Sequence, residues 1–537
     1  MRFFRNPFVV MVLMFLGVTT LHGAGAILLP ITQDEAYYLH WARFIDFGYF
    51  DHPPLIAWLT VPGQWLGDPR WARAIPVILA MLSFPISVSL FRHFGINSPK
   101  RTISAALLFH FSLFGLMFGV LATPDMPLAF FWLCALHEAV AAIEGNPKRW
   151  LTAGLFTGLG LLSKFTMLLM GPVFLWALLF EKRQLRTPWP YIGGVVAFLV
   201  FAPHLYWNHQ NDWITFRFQL NRGLMHSHDV SGEFGRPLPA ASPKVFDEQG
   251  VELAQYFLAK EKIKKPKEPK SAFQKFYRRV SEYWSGQLVV WGLFLIPLGL
   301  GLSKVWRHRH KKQSSPREVL VIASALVPLL IFGLLAFFQR VEANWPAPYI
   351  IGASILISRW FFHRNRAATW AALGHGVLVL GLFFHGSNPF PVPRPGGDRV
   401  LRETHGFSEL ASFLRKEGMP IYGETYQLTS AISAYLPRMV VSQWPGLTRE
   451  SEITRRDAMY QYNFRELKSM GGFQLVTSAM KPPLIEPFEV TSMLEFRNCL
   501  GKFEIHQAGM NDDYQPGCER PVHRWFIYRY GLAKHQS

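Results

Sequence analysis

Long apolar runs separated by short polar segments dominate the first 386 residues of this chain. Their lengths predict about 11 membrane-spanning helices, near residues 8–30, 72–92, 102–122, 126–143, 150–163, 165–180, 190–207, 284–303, 318–338, 346–362 and 367–386. The first run, from Phe8 to Pro30, contains no Asp, Glu, Lys or Arg and is longer than the roughly 20 residues that cross a bilayer core. The fifth run is short for a span. The pattern predicts a mainly α-helical, polytopic membrane protein.

The pattern changes at about residue 387, where polar residues mix with short apolar stretches and turn residues. Residues 388–395 are too rich in proline for a helix and are expected to form a stiff linker. We predict a membrane domain over residues 1–386 and a small α/β or α+β domain over residues 387–537. Cys499 and Cys518 both lie in the second domain, where an oxidising compartment would permit a disulfide. The sequence does not reveal the Cα separation that such a bond requires.

Basic residues fall in alternate loops of this map, as the positive-inside rule expects for cytoplasmic loops. The N-terminus is therefore predicted to be cytoplasmic and the domain over residues 387–537 extracytoplasmic. The residues that set this orientation are Arg2, Arg5, Arg92, Lys100, Arg101, Lys148, Arg149, Lys182, Arg183, Arg186, the stretch from Lys304 to Arg317, Arg364 and Arg366. The net charge of +19 in a chain that is 50% hydrophobic thus reflects topology. The bilayer is the expected partner, and nucleic acid is not.

Two outer loops stand out in this topology. The first, residues 31–71, places Asp34 and Glu35 directly after the first span. The second, residues 208–283, contains a Pro- and Lys-rich stretch around 230–280 that does not fit the charge pattern. We interpret that stretch as a mobile insertion.

The acidic residues of the first loop have two interpretations. Thr32-Gln33-Asp34-Glu35 fits a capping box, in which Glu35 closes the start of a helix. Acidic groups where a span leaves the lipid also suit chemistry on the polar head of a lipid-borne substrate. Asp125 has the same ambiguity, because it is suited to cap the helix that follows it.

Seven short motifs, in this order, resemble those of the bacterial GT-C glycosyltransferases of the protein-mannosyltransferase-like superfamily. The family-39/83-type enzymes, including lipid A aminoarabinose transferases and lipopolysaccharide core galacturonosyltransferases, are the similar members. The motifs are Asp34-Glu35-Ala36-Tyr37-Tyr38, Tyr49-Phe50-Asp51-His52-Pro53-Pro54, Ala122-Thr123-Pro124-Asp125-Met126-Pro127, Gly158-Leu159-Gly160-Leu161-Leu162-Ser163-Lys164, Pro203-His204-Leu205-Tyr206-Trp207-Asn208, Trp213-Ile214-Thr215-Phe216-Arg217-Phe218-Gln219 and Glu342-Ala343-Asn344-Trp345-Pro346-Ala347-Pro348. The resemblance covers most of residues 1–386 and implies a GT-C fold for that domain.

The resemblance implies an inverting transfer of a hexosyl or pentosyl unit from a polyprenyl-phosphate donor, at the outer face of the bacterial inner membrane. Lipid A or lipopolysaccharide core is the leading acceptor. A protein O-glycosyltransferase of the same fold is an alternative, and so is a transporter or flippase of lipid-linked sugars. A flippase should carry paired broken spans and charges near mid-membrane, whereas these acids gather at the outer surface. A scaffold whose outer domain recruits partners is a third class.

Such a reaction needs a base near the acceptor and positive charge near the departing phosphate. The resemblance assigns Asp34 as the base, with Glu35 as a neighbour that tunes or replaces it. Asp125 matches a second acidic position that orients the acceptor or binds a cation.

Four cations are candidates for binding the donor phosphate: Lys164, Arg217, His52 and Arg43. In the aminoarabinose transferases a Glu-Lys pair precedes the proline of the turn, and Asp51-His52 stands in its place here. Histidine is only partly protonated at neutral pH, so Asp51 and His52 are alternatively candidates for a divalent-cation site, the one cofactor considered.

Aromatic and amide side chains are expected to line the substrate cavity. The candidates are Tyr37, Tyr38, Trp213, Asn344 and Trp345. Trp213 is equally suited to an interfacial aromatic belt. For Lys164 the alternative to phosphate binding is a snorkelling anchor.

Overall fold

The computed structural model describes residues 6–94, 99–224, 271–296, 316–361, 365–456, 464–480, 482–483, 485, 487–500, 502–507 and 518–532. Most of the stretch around 230–280 that was predicted to be an insertion lies outside these residues. Most of the basic stretch from Lys304 to Arg317 also lies outside them, as do Arg2, Arg5 and Arg364.

Helices make up the described chain as far as Ser387. In chain order they are α1 (Pro7–Leu28), α2 (Gln33–Trp41), α3 (Leu55–Trp65), α4 (Ala74–His93), α5 (Pro99–His110), α6 (Leu113–Phe118), α7 (Asp125–Ile143), α8 (Trp150–Ser163), α9 (Met170–Phe180), α10 (Lys182–Leu185), α11 (Trp189–Gln210), α12 (Ile214–Leu224), α13 (Ala272–Trp291), α14 (Pro316–Phe338), α15 (Tyr349–Phe361) and α16 (Asn365–Ser387). Short 3₁₀ turns cover Pro69–Arg73, Pro147–Arg149, Phe165–Leu169 and Gly292–Phe294.

Six of the described helical segments are long and apolar enough to cross a membrane. They are Pro7–Leu28, Pro69–His93, Asp125–Ile143, Trp189–Gln210, Pro316–Phe338 and Arg366–Ser387. Shorter apolar helices occur at Phe165–Phe180 and Tyr349–Ser358. The mainly helical class and the several apolar spans are therefore confirmed, while the number of about 11 spans stays a prediction.

The predicted span over residues 102–122 is two helices rather than one. The chain turns after His110, and Ser112 begins α6 by accepting a hydrogen bond from the Gly115 N–H at 2.9 Å. Gly115 packs against the Phe109 carbonyl so closely that a side-chain carbon there would overlap it. The apolar run thus predicts that this segment is buried. It does not reveal the break in the helix, which the Ser112 cap and Gly115 allow.

Large apolar side chains cover the outside of the long helices. Leu16 on α1, Leu199 on α11 and Leu334 on α14 are all more than half exposed. Apolar patches of this extent are unfavourable in water and favourable against lipid. The outer surface of the helical part therefore fits a bilayer.

The C-terminal part contains a mixed sheet with helices packed on it. Its elements are α17 (Arg399–Thr404), α18 (Phe407–Arg415), β1 (Ile421–Gly423), α19 (Tyr426–Ala434), β2 (Val441–Gln443), α20 (Glu452–Arg456), α21 (Phe464–Ser469), β3 (Phe473–Thr477), β4 (Phe488–Cys499), β5 (Lys502–Gln507) and β6 (His523–Leu532). The six strands lie in the order β2-β1-β3-β6-β4-β5. Strand β1 is parallel to β2 and β3, and the pairs β3–β6, β6–β4 and β4–β5 are antiparallel.

Buried clusters lie on both faces of this sheet. Alternate residues along a strand point to opposite sides, and each side has its own cluster. Val476 and Ile527 face a cluster that includes Leu410 of α18. Phe473 and Tyr528 face a second cluster on the other side. A sheet with helices thus lies where an α/β or α+β domain was predicted, and the boundary at residue 387 stays a prediction.

A disulfide joins Cys499 at the end of β4 to Cys518, with a Cα–Cα distance of 6.3 Å. The structure therefore answers the question that the sequence left open.

We expect Cys518→Ser to destabilise the C-terminal part. The bond spans a sequence separation of 19, and closing a loop of that length in the unfolded chain contributes about 3 kcal/mol. Urea unfolding in detergent, followed by tryptophan fluorescence, should show a lower midpoint that no longer responds to reductant. Cys134, which is buried and not disulfide-bonded, provides the control: Cys134→Ser should keep the response to reductant. Equal midpoints for wild type and Cys518→Ser would contradict the expectation.

Candidate functional site

Helix α2 carries the first group of predicted site residues. It begins in the predicted capping box: the Thr32 hydroxyl accepts a hydrogen bond from the Glu35 N–H at 3.3 Å, and a Glu35 carboxylate oxygen accepts one from the Thr32 N–H at 3.0 Å. The structural interpretation of the Thr32-Gln33-Asp34-Glu35 pattern is confirmed. Asp34 is exposed in the first turn, whereas Glu35, Tyr37 and Tyr38 are buried.

Glu35 lies in a fully buried ion pair with Arg73. The Arg73 Nε and Nη2 atoms donate to the two Glu35 carboxylate oxygens at 2.7 and 2.6 Å, and neither side chain is exposed. Burial alone would raise the pKa of Glu35, but the Arg73 charge and the hydrogen bonds from Arg73, Ala122 and Thr32 outweigh it and lower that pKa. Glu35 is therefore an ionised carboxylate bound on all sides, not one open to substrate.

Arg73 and Glu35 together join three segments of the chain. Arg73 donates to the carbonyls of Leu29 at 2.5 Å and Pro30 at 3.0 Å, where α1 ends. Glu35 also accepts a hydrogen bond from the Ala122 N–H at 2.8 Å, just before α7 begins. The pair thus fixes the start of α2 relative to the end of α1 and the start of α7.

Asp125 is the first residue of α7, and its carboxylate binds two side chains from distant segments. The Lys164 Nζ donates to one oxygen at 2.7 Å, and the Asn344 amide donates to the other at 3.1 Å. Asp125 does not cap its own helix: Pro124 occupies that position, and no side chain caps it. Three predicted site residues, Asp125, Lys164 and Asn344, are therefore brought together.

Tyr38 is buried within reach of the charges of three acidic residues. Burial raises the pKa of its phenol well above the usual range, and the negative charges of Asp34, Asp51 and Asp125 raise it further. These carboxylates come from α2, the turn before α3 and the start of α7. Tyr38 therefore stays a neutral hydrogen-bonding group within a cluster to which three segments contribute.

Asp51 is buried and bound by groups from three other parts of the chain. The Tyr37 hydroxyl donates to one carboxylate oxygen, and the Arg449 Nη2 donates to the other at 3.0 Å. The Gln219 amide donates to the Asp51 backbone carbonyl. Burial, followed by the Asp51 charge, raises the pKa of the Tyr37 phenol well above its usual range.

Helices α11 and α12 support the first outer loop. The His204 ring lies 2.8 Å from the Phe47 carbonyl, and the Thr215 hydroxyl donates to the Tyr49 carbonyl at 2.7 Å. Between them, Gly48 packs on the Trp207 ring so closely that any side chain there would overlap the ring. The loop can approach α11 because residue 48 has no side chain.

The other side of this loop is covered by residues 449–456 of the C-terminal part. The Glu452 carboxylate, which is 1% exposed, accepts a hydrogen bond from the Phe50 N–H at 2.6 Å. The Glu452 N–H donates to the Tyr37 hydroxyl at 2.8 Å. Arg456 donates to the Asp46 carboxylate at 2.5 Å. The C-terminal part therefore helps to build the site.

The remaining predicted cations lie in different places. The Arg43 Nη2 donates to the Ser433 carbonyl of α19 at 3.1 Å. Arg217 is exposed on α12. His52 is half-buried, and its ring lies 6.2 Å from that of Tyr38 and 3.5 Å from the Gln219 amide. His52 thus lies beside Tyr38 and Gln219, Arg217 is on the exposed face of α12, and Arg43 contacts the C-terminal part.

Two predicted cavity aromatics differ in their surroundings. Trp213 is 43% exposed and adopts a positive φ of 57°, directly after Asp212 with φ 53°. Its N–H donates to the Asn208 carbonyl at 2.7 Å. Trp345 is half-buried and packs against Phe332. Trp213 is therefore the more accessible of the two.

Both oxygens of the Asp51 carboxylate bind other groups, one a hydroxyl and one a guanidinium. The divalent-cation site at Asp51 and His52 stays a prediction. Within the part of the chain that the structure describes, no group of three or more His, Cys, Asp or Glu side chains could hold an ion.

Sequence reasoning did not identify Arg73 and Arg449 as parts of the site. Arg73 carried a usable signal, because an arginine at the start of a predicted span needs a partner. Arg449 had none, since it lies in a polar segment with several other arginines.

Comparisons with known proteins agree with the motifs. A family model described as dolichyl-phosphate-mannose-protein mannosyltransferase matches residues 51–207, a range that includes Asp51, Asp125 and Lys164. The lipid A galacturonosyltransferase RgtD of Rhizobium johnstonii is 22% identical to this chain over 391 residues, which cover 70% of this chain and 71% of that protein.

Two crystal structures of ArnT from Cupriavidus metallidurans share the fold. The apo structure has a TM-score of 0.59, and the structure bound to undecaprenyl phosphate has a TM-score of 0.58. Each is 14% identical, covers 96% of this chain and is itself covered over 97% of its length. The predicted resemblance to GT-C glycosyltransferases related to lipid A modification is confirmed.

We expect Glu35→Gln to destabilise the protein by about 3 to 5 kcal/mol, because it leaves the Arg73 charge buried without its partner. Thermal unfolding in detergent measures the change. The pKa of Glu35 is lowered in the folded chain. The extra stability of the wild type over Glu35→Gln is therefore present at neutral pH and is lost as the pH falls through the folded pKa. Asp68→Asn removes an ion pair with the 48% exposed Arg70 and should cost about 1 kcal/mol or less. Equal effects of the two substitutions would refute this role of the buried pair.

Proposed function

We propose that this protein is an integral-membrane glycosyltransferase that moves a sugar from a polyprenyl-phosphate donor to lipid A or lipopolysaccharide core. Its similarity to a lipid A galacturonosyltransferase supports the acceptor class. The ArnT structure with undecaprenyl phosphate supports the donor class, since the two proteins share a fold over nearly their whole lengths. The RgtD match is with a galacturonosyltransferase, so a hexuronic acid is one sugar to test.

The observation that carries this proposal is the arrangement of the carboxylates around Tyr38. Asp34 is exposed, while the adjacent Glu35 is held by Arg73 and Asp125 is held by Lys164. Asp34 is thus the exposed carboxylate of the three, and the other two are buried in ion pairs. This division suits a general base that must reach the acceptor, with neighbours that hold the geometry.

In this mechanism Asp34 accepts the proton of an acceptor hydroxyl. The acceptor oxygen then attacks the anomeric carbon of the donor from the face opposite the phosphate. The bond between that carbon and the phosphate oxygen breaks, and the phosphate leaves with the electron pair. The anomeric configuration is inverted, and the developing charge on the phosphate requires nearby cations.

We assign Glu35 a positioning role instead of a second catalytic one. Its oxygens bind Arg73, Thr32 and Ala122, so an acceptor would have to displace these contacts to reach it. Through them Glu35 holds the turn of α2 that carries Asp34.

Asp125 and Lys164 form the part of the site that orients the acceptor. Lys164 is 9% exposed, and its Nζ donates to the Asp125 carboxylate at the start of α7. A carboxylate held in this way can accept a hydrogen bond from a sugar hydroxyl. Asn344 adds an amide to the same group.

The topology that we propose is a multi-pass protein of the bacterial inner membrane, with a cytoplasmic N-terminus and an extracytoplasmic C-terminal part. The C-terminal part contacts α2, so both lie on the side where α1 ends. The disulfide between Cys499 and Cys518 fits the oxidising outer side. Arg92, Lys100 and Arg101 lie at the opposite ends of the helices, as cytoplasmic basic residues should.

A flippase of lipid-linked sugars and a protein O-glycosyltransferase are the alternatives. A flippase would need charged groups along the membrane interior, whereas the cluster lies where the helices end. The molecule that receives the sugar distinguishes the two possible transferases: it is lipid A or lipopolysaccharide core for the proposed enzyme, and a protein for the protein O-glycosyltransferase.

We expect Asp34→Asn and Asp125→Asn each to lower sugar transfer by about 100-fold or more, because the first removes the base and the second removes the orienting charge. Mass spectrometry of lipid A, lipopolysaccharide core and polyprenyl-phosphate sugars measures the effect in cells that lack the chromosomal gene and express each variant. A glycan mass should disappear in the deletion and in both variants, while the lipid-linked sugar accumulates.

Asp68→Asn is the matched control, since it removes an outer-loop carboxylate that pairs only with a half-exposed arginine, and it should keep the glycan. If the glycan disappears in the deletion but persists with Asp34→Asn at equal protein levels, the function is transport or scaffolding. Loss of sugar from an envelope protein with unchanged lipopolysaccharide would identify the protein O-glycosyltransferase instead.

A further inference from the structure

Arg449 is a cation in the site that comes from the C-terminal part. Its Nη2 lies 3.0 Å from an Asp51 oxygen, and its guanidinium carbon lies 4.1 Å from the centre of the Tyr426 ring and 5.1 Å from that of Phe218. Its Nη1 donates to the Glu450 carbonyl at 3.0 Å. The guanidinium is thus held by an ion pair and by two aromatic faces.

These neighbours place Arg449 against the two segments that carry His52 and Arg217. Asp51 directly precedes His52, and Gln219 contacts both of them. Phe218, whose ring contacts the guanidinium, directly follows Arg217 on α12. Arg449 therefore contacts both the turn that carries His52 and the helix that carries Arg217.

The charge of Arg449 is permanent, unlike that of a histidine. Burial alone would lower the pKa of Arg449, but the Asp51 charge and the Tyr426 and Tyr37 phenols outweigh it and raise that pKa. The side chain is 27% exposed. A guanidinium offers five N–H donors in a planar fork that suits phosphate oxygens, which is more than its hydrogen bonds with Asp51, Glu450 and Tyr426 use.

The other candidates are less suited to this task. Lys164 is bound to Asp125 and its side chain is 11% exposed. Arg43 donates to a backbone carbonyl of α19. His52 is half-buried, and a histidine lacks the permanent charge of a guanidinium. Arg449 therefore supplies a permanent and partly exposed positive charge beside the turn that carries His52.

We infer that Arg449 binds the phosphate of the polyprenyl-linked donor, together with His52 and Arg217. This inference rests on the proposed function and deepens it. In this arrangement the C-terminal part supplies a residue that contacts the donor. The ion pair with Asp51 holds the Arg449 guanidinium in position to bind the phosphate.

The test must separate phosphate binding from the structural role of an Asp51 counter-ion. Arg449→Gln alone leaves Asp51 buried without its partner, which can unfold the loop. The double variant Asp51→Asn/Arg449→Gln removes both charges and keeps an amide at each position. Purified full-length protein in nanodiscs is titrated with undecaprenyl phosphate and with undecaprenol, which lacks the phosphate, and thermal unfolding is recorded for each variant.

We expect the double variant to unfold close to wild type and to bind undecaprenyl phosphate about 10- to 100-fold more weakly, the range for losing a charge-assisted hydrogen bond. Binding of undecaprenol should not change, so the preference for the phosphate falls. Arg415→Gln, at the exposed end of α18, is the control and should bind both lipids as wild type does.

Wild-type affinity for undecaprenyl phosphate in the double variant would overturn the inference and leave the proposed function standing, because Arg449 would then be a counter-ion only. Equal weakening toward undecaprenol would overturn it as well, since the defect would not concern the phosphate. Absence of undecaprenyl phosphate binding by wild type would overturn the proposed donor and this inference together.

Discussion

The buried ion pair between Glu35 and Arg73 is the constraint on which the site depends. An ionised carboxylate and a guanidinium without solvent are tolerated only when hydrogen bonds satisfy both, and here the partners are the end of α1, the cap of α2 and the segment before α7. Because these bonds are directional, they fix three helices relative to one another. Asp34 and Asp125 each follow one of these fixed points, so a fully buried pair sets the relative position of the segments that carry these two carboxylates.

The first outer loop is held between two supports of different kinds. On one side, α11 and α12 hold its backbone through hydrogen bonds and the close packing of Gly48 on Trp207. On the other side, residues 449–456 bind its polar groups. Arg449 pairs with Asp51, Glu452 accepts a hydrogen bond from the Phe50 N–H, and Arg456 pairs with Asp46. Rigid elements on both sides hold the functional loop, which is how binding residues on a loop can keep a defined geometry.

The sequence predicted the parts of this structure that depend on near neighbours. The run from residue 126 to 143 corresponds to α7, and the Thr32–Glu35 capping box forms as expected, because apolar length and local caps are properties of a few adjacent residues. The break at Ser112 was not predicted, since apolar character continues through it. The arginine partners of Glu35 and Asp51 lie 38 and 398 residues away. Only the folded chain reveals contacts of that kind, so the motifs pointed to Asp34, Asp125 and Lys164 but not to Arg73 and Arg449.

The position of Arg449 far along the chain has a consequence for synthesis. Asp51 is made 398 residues before its arginine partner. A nascent chain that has not reached residue 449 therefore contains Asp34 and Asp125 but lacks the guanidinium that pairs with Asp51. The order of synthesis makes the support from the C-terminal part a late step in building the site.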